Sequence, residues 1–433
     1  MNIKATIQKF HYGISWNGFL YVIQKIAYTA LSFILFKQFS IQDFSLWANS
    51  NSFIFITLLW LDFGLRKSIP RYSPVFQKYT PTMKKFLRWV ISLQITILIC
   101  AAIILKPALL FCAKLINLCP SPTLASIILI LFVIEGTVIL LQIVFHSHFW
   151  QKQFNLIYSA GILLSNSLSI ALVLYSNNKP NLLEYLFVIK VISGTCVIIA
   201  AAYTLLRLYK NESISTEKPI NTKENIHAFI KHSAIMWTST NLKSLSTRNI
   251  VVPIFTYALG PWYANIFKVA NDGAILFYRT ILKTIGTTDT SLLTYFETDS
   301  FKKKHLGIAF KKLVRQVTIL AIPLFVVMMS IGFCYFDSLE NSFTFKLFVI
   351  MATGCLLDLI FSPYERILEV KQNYSKLAIA YLPHIVIVGA LIWTKTITYM
   401  GLVGSVIVIH CVRLVSLYIM ACFVKKMYGF RMS

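Results

Sequence analysis

The chain has 433 residues, of which 57% are hydrophobic and 13% charged, where soluble domains carry about 25% charged residues. That composition excludes a water-soluble domain and places the chain in a bilayer. The formal charge of +25 does not imply nucleic acid, because the lysines and arginines fall in short gaps between apolar runs rather than on one soluble face; they report topology.

A helix that crosses a bilayer needs roughly 20 largely apolar residues. In chain order such runs cover 14–36, 44–65, 89–112, 123–149, 155–176 and 183–208, then 229–256, 262–286, 307–335, 344–364, 376–394 and 400–424. The first run carries Asn17, Gln24 and Lys25 and lacks a small-residue cleavage site, so it reads as a retained helix and not a signal peptide. The seventh and eighth runs are polar enough to be marginal by hydropathy alone. An even number of crossings predicts that basic residues collect at both ends and in alternate connections. Of the 41 Lys and Arg, 27 do so, including Arg66, Lys67, Arg71, Lys78, Lys84, Lys85 and Lys302 to Lys304. The opposite connections hold Lys37, Lys106, Lys114, Lys179, Lys346 and Lys395. Both termini are therefore expected in the cytoplasm.

A polar stretch at 209–226, with Lys210, Glu212, Glu217, Pro219 and Lys223, is the expected cytoplasmic linker between a six-helix bundle at 1–208 and a second at 227–433. Phe39-Ser40-Ile41-Gln42-Asp43-Phe44-Ser45-Leu46 aligns weakly with Leu259-Gly260-Pro261-Trp262-Tyr263-Ala264-Asn265-Ile266, each in the first external turn of its half. Six helices per half give both halves the same orientation, hence a parallel pseudo-repeat. The fold class is all-α: a polytopic membrane protein with about a dozen transmembrane helices in two six-helix bundles.

Ionisable residues inside a bilayer normally face the bundle interior or a watery cavity. At 100° per residue Asn265, Lys268, Asp272, Arg279 and Lys283 share one face of the eighth run, a basic stripe several turns long. Asn17, Tyr21, Gln24, Lys25, Tyr28 and Ser32 gather on one face of the first run, and Asn241, Ser244 and Arg248 on one side of the seventh. The first helix of each half thus presents a polar, cation-bearing face, as expected of walls lining a central cavity. Lys190 and Arg413 are single basic residues that could add to it. Lys268 with Asp272, and Asp62 with Arg66, are also spaced as i,i+4 salt bridges. Two stripes are acidic: Glu135, Gln142 and His146, and Asp358, Ser362, Glu365 and Glu369. A carboxylate in low dielectric can take a proton or Na⁺, which makes Glu135 and Asp358 candidates for ion coupling. No catalytic residue is expected.

The eight cysteines show no CxxC spacing and lie almost wholly in apolar runs, where cysteine acts as a small hydrophobe. No metal site follows, and no disulfide is assigned to Cys112 and Cys119, which flank a short expected external loop. Asp337 and Glu340 are the acidic residues of a short external turn, too little to equip a membrane glycosyltransferase.

Phe39-Ser40-Ile41-Gln42-Asp43-Phe44-Ser45-Leu46-Trp47 resembles the Leu-Gly-Pro-x-x-Phe-Gly-x-Trp/Tyr pattern of the polysaccharide (O-antigen type) flippases, members of the multidrug/oligosaccharidyl-lipid/polysaccharide exporter superfamily. Asp62-Phe63-Gly64-Leu65 is similar to the Asp-x-Gly-Leu of the same family, and Leu259-Gly260-Pro261 matches the turn in the second half. Ser40 and Ser45 stand where the family has glycine. The resemblance spans nearly the whole chain in length and helix count. It implies two bundles around a cationic cavity that moves an undecaprenyl-pyrophosphate-linked oligosaccharide, in the lipopolysaccharide or another envelope-polysaccharide pathway, from the cytoplasmic to the periplasmic leaflet of a bacterial inner membrane. It implies no cofactor beyond a coupling H⁺ or Na⁺. The implied partners are the lipid-linked oligosaccharide, membrane lipids and a polysaccharide polymerase or assembly protein. The cationic cavity would comprise Lys25, Arg248, Lys268, Arg279 and Arg413. Its polar lining would be Asn17, Tyr21, Gln24, Tyr28, Asn241, Ser244, Asn265 and Asp272. A lipid II flippase, which typically has more than twelve helices, and a multidrug exporter, whose organic cations favour acidic or aromatic cavities, are the alternatives.

Overall fold

A computed structural model describes residues 20, 23–77, 80–118, 120–148, 150–176, 181–210, 222–244, 248–276, 306–337, 342–370, 373–393 and 396–428. Asn17, Tyr21, Arg279, Lys283 and most of the expected linker fall outside them. The described residues form helices and no strand: α1 (23–38), α2 (Ile41–Trp60), α3 (Leu65–Gln77), α4 (Thr80–Leu115), α5 (Pro122–Ser147), α6 (Gln151–Tyr175), α7 (Leu182–Lys210), α8 (Thr222–Ser244), α9 (Arg248–Leu259), α10 (261–276), α11 (Leu306–Asp337), α12 (Ser342–Val370), α13 (Tyr374–Trp393) and α14 (Thr396–Tyr428). The protein is an all-α polytopic membrane protein.

Seven of these helices, α4 to α7, α11, α12 and α14, are long and apolar enough to cross a bilayer. The other expected crossings are α1, α2, the α8–α9 pair, α10 and α13. Their polar content or shortness has a structural reason: α2 buries Ser45, Asn49, Ser50 and Ser52 along with its apolar side chains, so its polar groups face protein and not lipid.

Among the described residues, each expected run contains at least one helix, and α3 lies beyond the run expected at 44–65. The run expected at 44–65 ends at Trp60, and the chain turns through Phe63 (φ 46°) and Gly64 (φ 75°) before α3 begins. α3 is the amphipathic stretch Leu-Arg-Lys-Ser-Ile-Pro-Arg-Tyr, which is too polar to continue a crossing. The run expected at 229–256 covers most of α8 and α9, with 245–247 outside the described residues.

The chain forms two compact units, Phe33–Asn241 and Met1–Ser32 with Leu242–Ser433. These units are not the sequence halves divided at 209–226. Each takes in the leading part of the first helix of the other half: the start of α1 joins the C-terminal unit, and α8 up to Asn241 joins the N-terminal one. In the N-terminal unit α5 is central and packs against α2, α3, α4, α6 and α7. Its core side chains Leu140, Ile143 and Val144 meet Phe86, Leu87 and Phe229 on one side, while Val138, Leu141 and Phe145 meet Phe154, Val197 and Ala201 on another. In the C-terminal unit α12 and α14 pack together, flanked by α11 and α13, around Leu359, Ile367, Leu368, Tyr381, Leu417 and Met420.

Candidate functional site

The start of α1 docks on α10 inside the C-terminal unit. Lys268, with 4% of its surface exposed, donates to Asp272 Oδ2 at 2.6 Å, and Ser32 Oγ donates to the same oxygen at 2.9 Å. The Lys268 ammonium also reaches the Tyr28 hydroxyl at 3.4 Å and lies 5.5 Å from that ring's centroid. Lys25, half-buried, places its own ammonium 5.4 Å from the same centroid. Two lysines, one from each sequence half, therefore converge on one tyrosine ring whose electron-rich face attracts cations. Helical phase brings this about: Gln24, Lys25, Tyr28 and Ser32 fall on one side of α1, and Asn265, Lys268 and Asp272 on one side of α10. Gln24, Asn265 and Asp272 are all buried. A buried ammonium costs several kcal/mol unless paired, which is why Asp272 sits one turn beyond Lys268 and why Ser32 supplies Asp272 with a second donor.

The other expected cavity residues lie elsewhere. Asn241 is buried near the end of α8, in the N-terminal unit. Ser244 closes α8 and Arg248 opens α9, with their side chains outside the described residues. Arg413 of α14 belongs to a second cluster of the C-terminal unit. Its Nε is 3.0 Å from Asp358 and its Nη2 3.9 Å from Glu365, both on α12, and its guanidinium lies 5.2 Å from the Tyr381 centroid on α13. Asp358 and Glu365 are two turns apart on one face, so one planar guanidinium serves both. Arg413 is thus held by the acidic stripe that the sequence shows separately.

Glu135 of α5 belongs to a third cluster, in the N-terminal unit, centred on Lys190. It interacts electrostatically with Lys190 of α7, whose ammonium donates to Asn51 Oδ1 at 3.0 Å and lies 5.5 Å and 5.6 Å from the Trp47 and Phe187 ring centroids. Both candidate coupling carboxylates therefore have a basic partner. Sequence reasoning missed Tyr381, His384 and Asn51; His384 is 1% exposed within an apolar stretch, and a polar residue isolated in such a run is the signal that marks it.

The two short motifs take structural roles. Asp62 Oδ1 is 3.4 Å from Arg66 Nε, and Gln94 Nε2 donates to the Leu61 carbonyl at 2.9 Å, capping the end of α2. Gly64 adopts a left-handed φ and lies against α8, where a Cβ would overlap the Ser233 carbonyl oxygen and come within 2.8 Å of Trp237 N. Trp237 Nε1 donates to the Trp60 carbonyl at 2.6 Å, and Ser68 Oγ hydrogen-bonds His232 Nδ1 at 2.9 Å. In the second half Gly260 has φ 90°, the glycine-type turn. Its counterpart Ser40 has φ −60° and caps α2, accepting from Asp43 N at 3.1 Å, which explains why serine can replace glycine there.

No sequence family matches the chain, and neither does any curated protein. Solved structures do share its architecture. One is an inward-facing multidrug resistance MATE family transporter of the MOP superfamily, 14% identical, with a TM-score of 0.66 over 94% of this chain and 94% of that one. Another is an outward-facing transporter of the same description, 12% identical, with a TM-score of 0.66 over 97% and 96%. A third, with the same identity, TM-score and coverage, is a MOP superfamily transporter from Pyrococcus furiosus Vc1 (DSM3638), described as having a binding pocket of reverse polarity that suggests a different function. At these identities the likeness establishes the fold. The chain has the all-helical fold of the MATE transporters of the MOP superfamily.

Proposed function

We propose that the protein is a flippase that moves an undecaprenyl-pyrophosphate-linked oligosaccharide from the cytoplasmic to the periplasmic leaflet of a bacterial inner membrane by alternating access. The observation that carries this reading is the convergence of Lys25 and Lys268 on Tyr28. Asp272 already balances the buried Lys268 ammonium, so the cluster keeps one net positive charge, and a pyrophosphate would be drawn to it through charge-assisted hydrogen bonds to the more exposed Lys25. In this reading Asp272 holds Lys268 in place, and Lys25, less buried, meets the phosphate first. The prenyl chain stays in the lipid while the sugars pass along the polar faces.

Glu135 and Asp358 are proposed as coupling groups for H⁺ or Na⁺. Asp358 pairs with Arg413 and Glu135 interacts electrostatically with Lys190, so an ion bound to either carboxylate weakens its hold on a cation. No covalent chemistry is needed, so the reading is of a transporter and not an enzyme. A polymerase or assembly protein would act on the delivered product. The multidrug reading draws on the description of the neighbouring structures and predicts organic-cation substrates.

The test is reconstitution in liposomes with a fluorescent, short-prenyl pyrophosphate-linked oligosaccharide and a membrane-impermeant quencher. The protein should equilibrate the label between leaflets, and Lys25→Ala should remove that activity. Absence of movement by the wild type, together with transport of an organic cation dye, would replace the flippase with a multidrug exporter.

A further inference from the structure

On the N-terminal unit α3, α4 and α8 enclose an apolar recess of about 250 Å³. Its walls include Phe63 and Leu65 after the α2 break, Trp89 and Leu93 on α4, and Ile230 and Trp237 on α8. Phe63, Trp89, Leu93 and Ile230 are each more than 40% exposed, so the recess opens outward. Phe63 stacks on Trp237 with centroids 6.1 Å apart, and Trp60 meets the same indole edge-on at 6.0 Å, so the wall is fixed in shape. Tryptophans gather where hydrocarbon meets head groups, and Trp60, Trp89 and Trp237 set the recess at that depth.

Basic side chains predominate around its end. Lys85 and Arg88 are exposed in the turn of α4 just before Trp89, and His227 and Lys231 are exposed on α8 around Ile230. Neither α3 nor α4 contains any Asp or Glu, and α8 carries one, Glu224, in its first turn. The positive-inside pattern places these residues on the cytoplasmic face.

We infer that this recess is a binding site for one anionic phospholipid of the cytoplasmic leaflet, an acyl chain lying against Phe63, Trp89 and Trp237 and the phosphate meeting Lys85 and Arg88. Basic groups beside an apolar slot between membrane helices suit a lipid with a negative head group. A zwitterionic lipid would fill the slot equally and gain less from the rim. Because α8 forms one wall and the α2–α3 turn another, a lipid seated there contacts both helices that meet at Gly64.

The experiment is native mass spectrometry of the full chain, released from mixed micelles with equal phosphatidylglycerol and phosphatidylcholine. The wild type should retain phosphatidylglycerol preferentially. Lys85→Gln with Arg88→Gln should lower that preference roughly fivefold per charge removed. Ala234→Trp, introduced at an exposed position of the wall, should displace the lipid while every rim charge remains; unchanged helicity and elution volume would show both variants folded. Equal retention of the two lipids by the wild type would overturn the proposal. So would an undiminished preference in Ala234→Trp, which would mean diffuse attraction to the basic surface. Preferential retention of an added polyprenyl pyrophosphate over phosphatidylglycerol would overturn it too, making the recess a substrate-tail site.

Discussion

Replacing Asp272 by Asn separates the structural from the electrostatic work of the α1–α10 site. Asp272 is 2% exposed and takes hydrogen bonds from Lys268 at 2.6 Å and Ser32 at 2.9 Å. The Asn amide oxygen can keep the Ser32 bond, and Lys268 keeps its longer contact with Tyr28. What is lost is the counter-charge of a buried ammonium. Removing one partner of a buried ion pair costs about 3–5 kcal/mol, and the retained bonds place Asp272→Asn near 3 kcal/mol. Lys268→Met strands the carboxylate and should lose a similar amount. The double variant Lys268→Met, Asp272→Asn strands neither charge, so it should be more stable than either single variant, a coupling of about 3 kcal/mol. Unfolding of the four proteins in one detergent, followed by denaturant titration of helicity, measures the cycle. If the double variant loses the sum of the two single losses, Lys268 and Asp272 act independently and the buried pair is not what holds α1 on α10.

Other outcomes follow from the same geometry. Lys25→Ala removes a cation–ring contact that contributes about 0.5–2 kcal/mol, so the protein should fold with little loss of stability while flipping falls at least about tenfold, the effect of 1.4 kcal/mol; wild-type flipping rates would remove Lys25 from the site. Lys190→Met leaves Glu135 without its basic partner and should destabilise the N-terminal unit by about 2 kcal/mol, a figure reduced for partial exposure. Adding Glu135→Gln should recover part of that, and a double variant no more stable than Lys190→Met would show that the two are not coupled. Gly64→Ala forces a Cβ into the α8 backbone at a left-handed φ and should cost about 1–3 kcal/mol or more, read as a lowered unfolding midpoint; an unchanged midpoint would mean that α8 does not rest on Gly64.

The long apolar helices were legible because apolar length is a strong signal. α5 to α7, α11, α13 and α14 begin and end within a few residues of the expected runs, while α12 continues past 364 to Val370. The end of α2 is legible only approximately: the run is expected to end at 65, and α2 ends at Trp60. Leu58, Leu59, Trp60 and Leu61 read as continuous with Phe63 and Leu65, and only the positive φ of two successive residues reveals the turn. Asp62-Phe63-Gly64-Leu65 was recognised as a motif, but its purpose depends on α8 lying against it, and nothing local encodes a partner about 170 residues away. At the candidate site Lys268, Asp272 and the polar face of α1 could be read from helical phase. That Arg413 serves the α12 carboxylates could not, because phase orders residues on one helix and is silent about which helix faces it.

The central claim, that the chain flips a lipid-linked oligosaccharide, is tested most directly in cells lacking the protein by finding where the undecaprenyl-linked oligosaccharide accumulates. The account predicts loss of surface polysaccharide, with the intermediate trapped in the cytoplasmic leaflet and released by the wild type but not by Lys25→Ala. Normal surface glycan with increased sensitivity to cationic drugs would contradict it.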